Sequence, residues 1–146
     1  LPDGFYHNEI VKRKMLTVPL EDMDIPKYYG QHILKLFVTA QQLGTAVAYP
    51  SGVLHEYREG IYQRHMFLTI TGDAPTLPEE SEKSVRTIEE GDFACRRIST
   101  HVSDFESIRE EMKEVLKSDD FCIIETDTLS EKNKKDGYPF ELEYRL

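Results

Sequence analysis

Residues 24–44 read DIPKYYGQHILKLFVTAQQLG and carry a clear helical pattern. Asp24 and Pro26 are typical of a helix start, and Gly44 is typical of a helix end. Between them, apolar residues recur at steps of three and four, which is the spacing of one helix face. These apolar residues are Ile33, Leu36, Phe37, Ala40 and Leu43.

Strand patterns flank this helix. One precedes it at residues 10–18, and two follow it at residues 45–50 and 61–71. The first half of the chain therefore predicts a β-α-β-β unit over residues 1–71.

The second half of the chain carries the same arrangement. Residues 103–106 read SDFE, which is a capping box, and they open a second helix with an apolar stripe at Ile108, Met112, Val115 and Leu116. A strand pattern precedes this helix, and two more follow it. These three patterns lie at residues 85–98, where we expect a bend at Gly91, and at 121–127 and 139–146.

A shift of 76 residues aligns the two halves without a gap from the first helix onward, placing Tyr29 on Phe105 and Tyr62 on Tyr138. The sequence therefore predicts one domain over residues 1–146. Its parts are two β-α-β-β repeats, 1–71 and 84–146, joined by an acidic linker over 72–83. The predicted α+β fold is a curved antiparallel sheet with two helices on one face. We expect its other face to be open, and a cleft to lie at the pseudo-twofold axis.

Composition limits the function. The chain has 146 residues with a net charge of −9, and no apolar run approaches the length of a membrane span. This charge argues against DNA binding by these residues alone. Cys95 and Cys122 lie in apolar strand patterns and are interpreted as reduced core residues, so we expect a cytoplasmic protein.

Three short motifs resemble one known family. Residues 91–95 (GDFAC) look like the G-x-Y-A-C strand of MerR-family multidrug-sensing regulators. Residues 62–67 (YQRHMF) are similar to that family's Tyr-Arg-His-x-Phe strand, and residues 140–146 (FELEYRL) resemble its closing strand. With the duplicated layout, the resemblance covers nearly the whole chain and points to the GyrI-like, or AraC-type effector-binding, superfamily.

The resemblance implies a fold and a function. In that family two fused β-α-β-β units hold a drug-sized pocket, and the domain follows a winged helix-turn-helix and a dimerising coiled coil. Neither is present in this sequence, so we expect a sensor half without its DNA-binding half. A homodimer is expected only for the full-length protein.

Glu125 is the first candidate ligand-binding residue. It ends the apolar strand pattern FCIIE, and alternation places it on the same face as Ile123. A buried carboxylate is costly unless it is paired, and an arriving cation relieves that cost. The resemblance implies the same role, because the family carries a buried glutamate on the matching strand. The alternative is that the strand simply exits to solvent at this residue.

Aromatic residues at corresponding places in the two halves form a second group of candidate ligand-binding residues. Flat rings can line a slot for a planar cation. Each of them could instead belong to the core, but as a group they favour a pocket. The candidates are Tyr29, Tyr49, Tyr62, Tyr138 and Phe105.

Other chemistry has no pattern in this sequence. The five histidines show no metal-ligand spacing, and neither a nucleophile elbow nor a phosphate-binding loop occurs, so no catalytic residue, metal or cofactor is predicted. Residues 12–14 (KRK) are interpreted as a charged edge strand.

The leading hypothesis is a sensing domain for hydrophobic, cationic small molecules. Two alternatives stay open: a GyrI-like hydrolase of strained or reactive molecules that uses a Glu and a Tyr, and a protein-binding GyrI-like module.

Overall fold

Eight strands and three α-helices form within residues 1, 3–116, 121–128 and 130–146, the part of the chain that a computed structural model describes. None of these helices is long and apolar enough to cross a membrane. The side chains of Val115 and Leu116, in the predicted helical stripe, lie outside the described part. The elements are β1 (Tyr6–Ile10), β2 (Arg13–Leu20), α1 (Tyr29–Gln42), β3 (Val47–Arg58), β4 (Ile61–Ile70), β5 (Ser84–Ile88), β6 (Gly91–Ile98), α2 (Phe105–Leu116), β7 (Phe121–Asp127), α3 (Glu131–Lys135) and β8 (Phe140–Arg145).

The two long helices and the α+β class agree with the prediction, but two of the predicted strands are each interrupted. The strand expected at 10–18 is divided between β1 and β2 by residues 11–12. The strand expected at 85–98 is divided between β5 and β6 by residues 89–90, just before the expected bend. The short helix α3 was not expected, and Ser130 caps it by accepting a hydrogen bond from the Asn133 N–H.

All eight strands form one antiparallel sheet in the order β1-β6-β8-β7-β3-β4-β2-β5. This order is symmetric about its centre: strands at equal distances from the two ends are four places apart in the chain, as β1 and β5 at the two edges or β7 and β3 in the middle. Two duplicated units would produce this symmetry, but the repeat itself stays a prediction. The central contact between the two halves is the pairing of β3 with β7.

Both long helices pack on the same face of the sheet. Leu36 and Ala40 of α1 bury against Val53, Met66 and Leu68. On the other half of the sheet, α2 contributes its own residues to a second core. This second core contains Phe105, Met112, Ala94, Ile123, Leu142 and Tyr144.

The opposite face of the sheet is buried, so the expectation that it would be open is wrong. A third core fills it, and its large side chains have almost no exposed surface. Burial raises the pKa of the Cys95 thiol, which lies in this core, to about 12. The members of this third core are Ile10, Met15, Leu54, Phe67, Phe93, Cys95 and Ile124.

This inner core can exist because the sheet curls until its ends approach each other. Only two residues connect β1 to β2 and β5 to β6, although each pair spans the two ends of the sheet. Arg13 of β2 also reaches Glu143 of β8, with 2.8 Å between Nη1 and Oε1. In a flat sheet these strands would be about 19 Å apart, at about 4.8 Å per strand, beyond the reach of the two side chains.

The ion pair between Arg13 and Glu143 gives the first testable prediction. Both side chains are buried, so Arg13→Met should leave an unpaired carboxylate in the inner core and lower the free energy of unfolding by about 3–5 kcal/mol. The double variant Arg13→Met/Glu143→Leu removes both charges and should recover most of that loss. Urea unfolding measures both; a double variant no more stable than Arg13→Met would contradict the pairing.

Candidate functional site

Glu125 lies in the middle of the sheet with only 1% of its surface exposed. It is on β7, opposite Val53 of β3 and Leu142 of β8. It shares with Ile123 the face that the helices cover, as the alternation of β7 predicts. A charge in this position needs close partners, because desolvation penalises the ionised form.

Two histidines and one backbone amide supply these partners. His55 Nε2 lies 2.8 Å from Glu125 Oε1, and His101 Nδ1 lies 2.5 Å from Oε2. The Val102 N–H also points to Oε1, at 3.4 Å. Since an ionised carboxylate only accepts hydrogen bonds, both facing ring nitrogens act as donors.

These contacts keep Glu125 ionised. Burial acts to raise the pKa of Glu125, but the hydrogen bonds from His101 and His55 outweigh it, so the pKa lies below its ordinary value. The interaction therefore stabilises the folded state above the ordinary glutamate pKa, and this contribution is lost as the pH falls through the lowered value.

His55 links Glu125 to a tyrosine. Its ring is fully buried, and its Nδ1 lies 2.7 Å from the Tyr62 hydroxyl. With Nε2 donating to Glu125, Nδ1 is placed to accept a hydrogen bond from the Tyr62 hydroxyl. Burial raises the pKa of Tyr62, so the hydroxyl keeps its proton at neutral pH. The result is a hydrogen-bonded chain from Tyr62 through His55 to Glu125.

Aromatic rings enclose this chain. Phe105, at the start of α2, stacks on Tyr62 with 4.2 Å between ring centroids. His101, on the loop between β6 and α2, packs on Phe140 at 3.8 Å and meets the ring of Tyr29 edge to face at 5.2 Å. The contact with Tyr29 lies within the usual range of about 4.5–7 Å for aromatic pairs, and the other two pairs are closer than that.

Two cavities open beside these rings on the helix-covered face. They share Pro26 and Tyr29, so they lie next to each other at the start of α1. The first, of about 260 Å³, is lined by Pro26, Tyr29, Gly30, Ile33, Gly52, Val53, Met66, His101, Glu125 and Asp127. The second, of about 300 Å³, is lined by Asp22, Ile25, Pro26, Tyr29, Tyr62, Arg64, Val102, Ser103 and Phe105.

Two further charged groups lie at the edges of the cavities. Arg64 Nη1 donates to the Tyr29 hydroxyl at 2.9 Å and to the Asp24 carbonyl at 2.8 Å, which fixes the loop that leads into α1. Asp127 lines the first cavity, and burial, with the charge of Glu125 nearby, raises the pKa of its carboxyl.

The structure brings four of the six predicted site residues together. Glu125 and Tyr29 line the first cavity, and Tyr29, Tyr62 and Phe105 line the second. The other two predicted residues line neither cavity. These are Tyr49 on β3 and Tyr138 just before β8, each about 41% exposed.

Sequence reasoning missed both histidines that hold Glu125. The histidines have no metal-ligand spacing, and two histidines that bind one carboxylate from different elements need no fixed spacing in the sequence. His55 did carry a signal, since it follows Val53 and Leu54 in a strand whose middle is apolar. His101 carried none, because it lies on a loop 24 residues before Glu125. Within the described ranges, no group of three or more His, Cys, Asp or Glu side chains could hold a metal ion.

Gly52 allows β3 and β7 to approach beside Glu125. A Cβ atom at this position would lie 1.8 Å from the Glu125 carbonyl oxygen and 3.1 Å from the Thr126 Cα. Both are backbone atoms, so the two strands would have to separate. The close pairing that positions Glu125 against His55 therefore requires glycine here.

A pair of glycine substitutions tests this constraint. Gly52→Ala should lower the free energy of unfolding by at least about 1–3 kcal/mol, the usual cost of an overpacked site. Gly30→Ala is the control: this glycine is in α1, and an added Cβ meets nothing within 4 Å. It should stabilise the protein by about 0.5–1 kcal/mol, because alanine favours helix. Thermal unfolding measures both, and a neutral Gly52→Ala would contradict the close approach.

Comparison with known proteins places this fold. No family model and no curated protein matches the chain. The C-terminal domain of EcmrR, at 8% identity, has a TM-score of 0.63 over 97% of this chain and 95% of that domain. EcmrR solved in a complex with DNA, at 11% identity, has a TM-score of 0.54 over 96% of this chain but only 56% of the EcmrR chain. SAV2435, solved with tetraphenylphosphonium, is 12% identical with a TM-score of 0.46 over 96% of this chain and 92% of that one. The chain thus shares the fold of the EcmrR C-terminal domain, which agrees with the fold that the sequence resemblance implied.

Proposed function

We propose that this domain senses hydrophobic, cationic small molecules for a MerR-type bacterial transcription regulator, whose DNA-binding part lies outside these residues. The observation that carries the proposal is Glu125, a buried and ionised carboxylate that lines an apolar cavity. A cation that reaches this carboxylate exchanges its water shell for a fixed negative charge. A neutral molecule of the same shape gains only the apolar contact.

The walls of the cavities suit such a ligand. Ile33, Val53 and Met66 supply apolar surface in the first cavity, and Tyr62 and Phe105 supply flat rings in the second. Each cavity is near the lower limit of drug-sized sites, and together the two neighbours would hold a molecule of several rings. They lie between the start of α1 and the loop before α2, where a cleft between two β-α-β-β units would lie.

Charge and fold support the same proposal. A net charge of −9 attracts cations and opposes binding of these residues to DNA. EcmrR has this fold in its C-terminal domain, and its structure with DNA contains nearly as much chain again. In a protein of that plan, ligand binding would shift the equilibrium of a homodimer whose other segments hold DNA.

Paired ions of one shape and opposite charge test the ligand class. Tetraphenylphosphonium should bind and raise the melting temperature, whereas tetraphenylborate should not. Glu125→Gln should weaken phosphonium binding by about tenfold or more, the range for a lost contact to a charged group. Glu56→Gln is the control, since Glu56 is also buried but lines neither cavity. Isothermal titration measures the affinities. Equal binding of the two ions, or equal affinity of the Glu125→Gln variant and the wild type, would overturn the proposal.

One observation favours a hydrolase as the second candidate. The chain from Tyr62 through His55 to Glu125 joins a partly exposed hydroxyl to a buried carboxylate through an imidazole. Such a chain can pass a proton to or from a bound molecule in the second cavity, which Tyr62 lines. This matches the Glu and Tyr pair that the sequence suggested for a GyrI-like hydrolase.

Hydrolysis of p-nitrophenyl esters by the purified domain tests this candidate. If the chain is catalytic, Tyr62→Phe and Glu125→Gln should each lower kcat by a factor of about 100 or more. Tyr138→Phe, which changes a tyrosine outside both cavities, should have no effect. Release of p-nitrophenol at one common rate in all four proteins would exclude the candidate.

A further inference from the structure

Both oxygens of Glu125 already accept hydrogen bonds. Oε1 accepts from His55 and from the Val102 amide, and Oε2 accepts from His101. A cation that binds at this carboxylate must therefore replace one of these donors or share an oxygen with it.

The three donors differ in how firmly they are held. His55 is on β3, its ring has no exposed surface, and both of its nitrogens are engaged. The Val102 donor is a backbone amide. His101 is on the loop over residues 99–104, between β6 and α2, and 28% of its side chain is exposed.

His101 also stands where a ligand would enter. It lines the first cavity together with Glu125 and Tyr29. On its other side it lines an open depression with Thr100 and Ser103. A rotation of its side chain toward that depression would free Oε2 without disturbing His55.

We propose that His101 is an internal competitor for Glu125 and that it determines which molecules the site accepts. This inference rests on the function proposed above. A cation gains its full contact with Glu125 when it displaces His101. A neutral molecule binds with His101 in place and gains no charge contact from its removal.

Calorimetry with tetraphenylphosphonium and the neutral triphenylmethanol tests the proposal. His101→Ala should bind the phosphonium about tenfold or more tightly than the wild type, since a hydrogen bond to a charged group is no longer lost. Any gain in affinity that comes only from the larger cavity of this variant should also appear with triphenylmethanol. His101→Lys places a permanent cation on the loop and should weaken phosphonium binding. His32→Ala is the control, because His32 pairs with Asp24 in a similar way but lines neither cavity.

The combined binding results distinguish failure of the His101 proposal from failure of the proposed ligand class. If the wild type binds the phosphonium, Glu125→Gln weakens it, and His101→Ala binds no tighter, then the competition is wrong and the ligand class stands. If neither the wild type nor His101→Ala binds, or if Glu125→Gln has no effect in either, then both proposals fail. Binding by His101→Ala alone, lost in His101→Ala/Glu125→Gln, supports both.

Discussion

The pairing of β3 with β7 is the constraint on which the rest of the structure depends. It joins the two halves of the chain at the centre of the sheet, and Gly52 makes the approach possible because a Cβ would strike the Glu125 carbonyl. The same pairing places His55 across from Ile123, two residues from Glu125 and on the same face. A slip of one residue would turn one of the two side chains toward the inner core and separate the carboxylate from its donor.

The charge of Glu125 is opposed by burial and stabilised by its hydrogen-bond donors. Burial disfavours the charge of Glu125, and two imidazoles and an amide compensate it within the protein. A core built for stability alone would place an apolar residue here, since buried ion pairs rarely add net stability. A carboxylate held by one buried and one partly exposed imidazole instead suits the proposed role, in which a ligand brings its own charge.

Much of the fold and part of the site follow from local sequence patterns. Helical spacing located α1 and α2, and alternation in β7 placed Glu125 on the helix-covered face. The curl of the sheet has no local signature, because it depends on how eight strands coil together, so the buried inner face was missed. The partners of Glu125 were missed for a related reason: His55 is 70 residues away in the chain, and only the strand register brings it near. The shift of 76 residues places Tyr49 on Glu125 and Tyr62 on Tyr138, but that match says nothing about which side of a strand or loop faces a cavity.

The outermost strands have a consequence for how the chain folds. Within the part of the chain that the structure describes, β1 pairs only with β6 and β5 pairs only with β2, so each half adds a strand to the sheet of the other. Most of the structure consequently depends on contacts between residues far apart in the sequence, which is typical of slow and cooperative folding. Each half holds its own helix-covered core, whereas the inner core takes residues from both halves and closes only when both are present. The first strand of each half thus joins the other half, and the inner core links the two.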